Sequence, residues 1–191
     1  MLEVAAVASH LADTVEDKDI NKKDIVEWAL LHDMGNIVKF KDFISPHMKL
    51  GEDYWRKVQK KFTQKYSDDA HQATIKIIKE MNLVNEQPIL HLIENNDFRA
   101  ISHNGYQSIE TRICDYADMC VSPHGIVGFD KRIEDLIKRY KLDKSDLSTK
   151  TRKENSIELN KKVNFELKTI NKIDFSDLIE KLSEYDISLK I

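Results

Sequence analysis

His32 and Asp33 stand side by side in Ala29-Leu30-Leu31-His32-Asp33-Met34-Gly35-Asn36, where an apolar helical run gives way to a glycine. An imidazole nitrogen beside a carboxylate is a ligand pair suited to zinc, iron, manganese and similar ions. The apolar run sets the pair in a dry wall, where a bound ion has its largest electrostatic effect. Three more residues occupy places from which they could converge on it. His71 starts a helix on its apolar face, and His103 precedes a helix in Ile101-Ser102-His103-Asn104-Gly105. Asp118 lies in the otherwise apolar Ile113-Cys114-Asp115-Tyr116-Ala117-Asp118-Met119. A carboxylate on the buried side of a helix needs a partner, and a metal ion is one. Neutral imidazoles and carboxylates hold an ion while an open position holds water, which then loses a proton near pH ~7. The chemistry this mix can do is metal-assisted hydrolysis.

The elements that must position these residues read as helical almost throughout. Only 5 Gly and 3 Pro punctuate the chain, and no stretch alternates convincingly at period two. Val4, Val7, Ala8, Leu11 and Val15 make the apolar stripe of a first helix from about Leu2. Asn21 caps a second, running through Ile25, Trp28 and His32 and stopped by Gly35. An irregular loop over 38–51 precedes a helix from Asp53 to about Tyr66. Asp68 or Asp69 caps the helix that carries His71, Ile75 and Ile78 on one face. Pro88 opens a short helix to about Asn95, Ser108 opens another through Asp118, and Asp130 caps one to Tyr140. The chain turns polar from Leu142 to about Ser156. Leu159, Val163, Leu167 and Ile170, then Leu178, Ile179 and Leu182, are spaced as amphipathic helices that pack on the body or on a partner.

Composition narrows the class. A net charge of −3 argues against bulk nucleic-acid binding through phosphate neutralisation. No run approaches the ~18 apolar residues of a membrane span. The apolar start, Met1 to Ala8, lacks a basic leader, so no signal peptide is expected. Cys114 and Cys120, six apart on one helix, point in different directions. No disulfide is expected, and a reducing cytoplasm fits.

In its ordered motifs the chain resembles the HD-domain superfamily of metal-dependent phosphohydrolases. Leu31-His32-Asp33-Met34-Gly35 is similar to the family's central L-H-D-I-G-K motif, and Tyr116-Ala117-Asp118 to its late Y-A-D motif. His71 and His103 match, in order and context, the two histidines that two-metal members add between them. The resemblance covers roughly residues 1 to 140 and implies an all-α, compact HD-type helical bundle, with 141–191 as a polar linker and C-terminal helical extension. It implies that His32, Asp33 and Asp118 hold a first divalent transition metal (Mn, Fe, Ni, Co or Zn). A second ion would be held by His71 and His103 and bridged by Asp33, the residue also assigned the catalytic role. The implied reaction is hydrolysis of a phosphomonoester or phosphoanhydride in a nucleotide or similar small molecule, with metal-bound hydroxide as nucleophile. A homo-oligomer through the C-terminal helices is the expected assembly.

Two departures accompany the resemblance. The family's first His would fall immediately before Met1, since Leu2-Glu3-Val4-Ala5 matches the segment that follows it. Either the sequence as given starts one residue late, or the first site has lost a ligand; in the latter case a non-enzymatic nucleotide- or protein-binding module is the alternative. Asn36 stands where the family often has Lys, and Lys39 or Lys41 could take its place. Asp115 is the other carboxylate near Asp118 but falls off the matching place. The remaining candidates have plainer readings. His47, His91 and His124 fit loops or surface, and Trp28 and Trp55 the core. Arg112 with Asp115, and Arg132 with Asp135 or Glu134, read as surface pairs. Lys57, Lys60, Lys61 and Lys65 read as a solvated helix face.

Overall fold

The computed structural model describes residues 1–15, 19–43, 49–83, 86–97, 100–101, 104–123, 125–140 and 150–155. His103, His47 and His124 lie outside them, as do the expected C-terminal helices and the oligomer contact assigned to them. The described chain is mostly helical, as an HD-type all-α bundle requires.

Helix α1 (Leu2–Thr14) buries Val4, Val7, Ala8 and Leu11, the stripe its period predicts. Helix α2 (Lys22–Leu31) opens where the Asn21 side chain accepts the Asp24 N–H, and buries Ile25, Trp28 and Ala29. A 3₁₀ turn (Asn36–Lys39) follows. Helix α3 (Glu52–Lys65) buries none of its residues. It is tied to the body through Gln59, whose amide donates to the carbonyls of Ile37 (2.8 Å) and Phe40 (2.9 Å). That clamp holds the start of the loop after His32-Asp33. Its lysines lie on a solvent-rich face, as their run predicts.

Helix α4 (Ala70–Met81) is capped by Asp69, which accepts the Gln72 N–H at 2.9 Å, and ends on Asn82 in the left-handed conformation. Helix α5 (Glu86–Asn96) starts two residues before Pro88. Proline is tolerated there because first-turn N–H groups have no intrahelical partner. Helix α6 (Ile109–Asp118) has a reciprocal capping box between Ser108 and Thr111. A two-residue antiparallel hairpin, β1 (Val121–Ser122) with β2 (Gly125–Ile126), then leads to helix α7 (Phe129–Tyr140). The hairpin is too short for alternation to announce it.

Helix α1 packs on α2 and α6, and α5 packs on α2, α4 and α6. Their shared core includes Leu11, Ile25, Ile78, Ile89 and Ile113, each at most 1 % exposed. Each such side chain contributes about 1.5–3 kcal/mol by leaving water. Cys114 and Cys120 are free thiols inside this core, and burial pushes both well above the usual thiol range. No helix among the described residues is long and apolar enough to cross a membrane.

Candidate metal centre

The end of α2 is pinned to the start of α4 by a close approach at Gly35. A Cβ placed there would lie 2.1 Å from the Ala70 carbonyl oxygen and 2.8 Å from the Thr74 nitrogen. Gly35 N–H donates to Thr74 Oγ1 at 2.9 Å. The same hydroxyl lies 2.9 Å from the Ala70 carbonyl and 3.3 Å from that of His32. The sequence marks Gly35 as a helix stop, but here it does more. It lets two backbones touch and so brings His32-Asp33 and His71 to one cavity.

His32 stacks on Trp28 with ring centroids 4.4 Å apart. Its Nδ1 lies 3.0 Å from the Ala29 carbonyl. A carbonyl only accepts, so Nδ1 carries the proton and Nε2 is left to face the cavity. Nε2 is buried and makes no hydrogen bond. Asp118 Oδ1 lies 3.4 Å from it and Asp33 Oδ2 3.7 Å. Burial opposes a charge on His32, but Asp118 and then Asp33 outweigh it and raise its pKa above the usual imidazole range. Burial likewise opposes the charge on Asp118, yet His32 holds that carboxyl below the usual carboxylate range.

The cavity of about 200 Å³ is lined by His32, Asp33, His71, Asp97, Asp118 and Arg152, among others. Four of the five sequence candidates therefore share one space, with His103 outside the described residues. His71 Nδ1 lies 3.7 Å from Asp97 Oδ2, so the acid facing His71 comes from the end of α5. Lys39 lines the cavity beside Asn36, whereas Lys41 is not among the lining residues. His10 lines a different hollow, with Leu2 and Leu30, and no residue of α1 lines the His32 cavity.

An orphaned Nε2, a ring fixed in one tautomer through its other nitrogen, and two carboxylates within 4 Å fit part of a metal's ligand shell. The set is open rather than closed. Among the described residues, no three His, Cys, Asp or Glu side chains are gathered tightly enough to cage an ion.

Two participants escape the sequence reading, and a third, Asp115, changes partner. Asn96 lines the cavity with both side-chain amide atoms buried and unpartnered. Asp97 faces His71. Asp115 is buried and does not form the surface pair with Arg112 expected of it. Its carboxylate accepts from Arg152 Nε at 3.1 Å and from the Tyr106 hydroxyl at 2.7 Å. Helix geometry explains the change, because Asp115 sits one turn before Asp118 and shares its cavity-facing side. Arg112 instead pairs with Asn155.

The orphaned amide of Asn96 gives a testable consequence. A buried polar group without a partner costs about 1–3 kcal/mol, and it is kept where a ligand satisfies it. Asn96→Leu should raise the melting temperature of the ligand-free protein. Thermal melts of the variant and the wild type check this; a less stable variant would contradict it.

A protein-family model described as the HD domain matches residues 1–121. No curated protein matches the chain, and no solved structure does.

Proposed function

The chain belongs to the HD-domain family, and on that premise we propose that it hydrolyses a phosphomonoester or phosphoanhydride bond in a nucleotide or similar small molecule. The family is of the metal-dependent phosphohydrolase type. The observation that carries the proposal is His32 Nε2, buried, without a hydrogen bond and flanked by Asp118 and Asp33. His32, Asp33 and Asp118 would hold a divalent transition metal, and His71 and His103 a second ion. A bound metal supplies Lewis acidity and draws a nucleophile from water at neutral pH.

The chain's own groups divide the remaining work. Ala29 holds the His32 ring in its tautomer, and the Trp28 ring supports its face. Asp33, with its side chain 41 % exposed, reaches both Nε2 and the open cavity. We assign it to orient the attacking water and take its proton. Lys39 on the cavity wall offsets the charge that gathers on phosphate oxygens. We place the protein in the cytoplasm, on its two free buried cysteines.

Metal analysis of the purified chain, followed by a broad phosphate-ester panel after loading with Mn, Ni, Co or Fe, tests the reading. Retained metal with hydrolysis supports it; no bound metal and no hydrolysis on any loading overturns it. Nucleotide or protein binding that persists with chelator present, without turnover on any loading, would select instead a binding module without catalysis.

A further inference from the structure

The wall of the cavity is completed by a segment beyond the family-matched residues. Residues 150–155 are helical and dock on α6. Asn155, 1 % exposed, is gripped at both ends of its amide. Arg112 Nη1 donates to Asn155 Oδ1, and Asn155 Nδ2 donates to the Arg112 carbonyl, each at 3.1 Å. One turn away along α6, Asp115 accepts from Arg152 Nε, and Arg152 lines the cavity together with Asp118. Arg112, Asp115 and Asp118 follow one another at three-residue steps. A single face of α6 thus anchors the segment at one end and presents the candidate metal ligand at the other.

We propose that Arg152 is the anion-binding residue of this cavity, donating to a phosphate oxygen of the substrate from a guanidinium held in place by Asp115 and Tyr106. The proposal rests on reading the cavity as a phosphate-ester site. Four carboxylates line the space, Asp33, Asp97, Asp115 and Asp118, against the cations Lys39 and Arg152. A phosphate entering there needs donors as well as a metal. The Asp115–Arg152 pair is net neutral, so it brings directional N–H groups rather than a strong field. Guanidinium has five N–H groups in a rigid fork, and Asp115 engages the one on Nε. Tyr106 on the other carboxylate oxygen orients Asp115 in turn. Lysine offers no such fork, so Arg152→Lys is not a conservative change here.

Orthophosphate titrated calorimetrically into the full chain, with and without manganese, is the test. Wild type should bind, and Arg152→Gln and Arg152→Lys should each weaken phosphate by about tenfold or more. Asn155→Ala, which releases the segment without touching Arg152, should weaken it in the same direction. For any ester turned over, KM should rise more than kcat falls. If the variants unfold, the Arg152 Nε resonance of wild type remains a probe and should move on titration with phosphate. No phosphate binding by wild type overturns the proposal. So does an unchanged phosphate affinity in a folded Arg152→Gln chain, or a stationary Nε resonance at saturation. Phosphate bound through Arg152 without hydrolysis of any ester would sink the proposed reaction and leave this inference standing. Hydrolysis with unaltered KM in Arg152→Gln would do the reverse.

Discussion

On the proposed reading, replacing His32 by Gln should abolish the stabilisation expected from manganese and, with it, the proposed phosphohydrolase activity. The ring offers one nitrogen to the cavity only because the Ala29 carbonyl holds the other. Gln keeps the bulk beside Trp28 but lacks that arrangement. A ligand that binds only the folded state stabilises it by about 2.7 kcal/mol at a concentration 100 times its Kd. For a chain of this size that is a rise of about 5–11 °C in Tm. Wild type should show the rise, and His32→Gln should lose it while its metal-free melt stays near that of wild type. An outer-shell partner costs about 10–100-fold in metal affinity or activity, and a residue in the ligand shell should cost more. A manganese-dependent shift that survives in His32→Gln would show that the ion binds elsewhere.

Gly35→Ala should be strongly destabilising. The added Cβ would meet the Ala70 carbonyl at 2.1 Å, and backbone cannot swing aside as a side-chain tip can. Overpacking of this kind costs about 1–3 kcal/mol and sometimes more, which is a drop of about 2–12 °C in Tm for this size. It should also weaken metal binding, because relief of the clash moves the end of α2 away from α4. Gly51→Ala is the control. Gly51 has φ of +80°, but no described residue lies within 4 Å of its added Cβ. That change should cost about 1–3 kcal/mol from backbone strain alone and leave metal binding intact. Equal effects on metal binding from both substitutions would remove the Gly35 contact from the account.

What could be read from the sequence follows from the range of the interactions involved. His32, Asp33 and Asp118 were legible because each sits in a local apolar context that makes a polar residue conspicuous. The helices were legible because their stripes and caps are local. Asn96 and Asp97 were hidden, since Asn-Asn-Asp at the end of a helix reads equally well as a terminus. Arg152 was hidden in a polar stretch with no period. Its partner Asp115 is 37 positions away in sequence, and spacing alone offers that carboxylate the nearer Arg112. Gly35 reads by type as a helix stop, while its constraint is the nearness of another backbone. Such contacts have no signature in residue type at either end.

The span of chain between His32 and Asp118 has a consequence for how the protein reaches its folded form. His32 and Asp118 lie 3.4 Å apart, yet 86 positions separate them (118 − 32). Closing so long a loop carries an entropy cost that must be met before the contact returns anything. An ion would therefore find only the adjacent His32-Asp33 pair in the early chain, too few ligands to template the collapse. The fuller set would form only once α2 and α6 have docked, and the ion's free energy would appear as slower unfolding rather than faster folding. In this protein the metal would act as a lock set on a finished assembly, and the lifetime of the folded state would follow the supply of the ion.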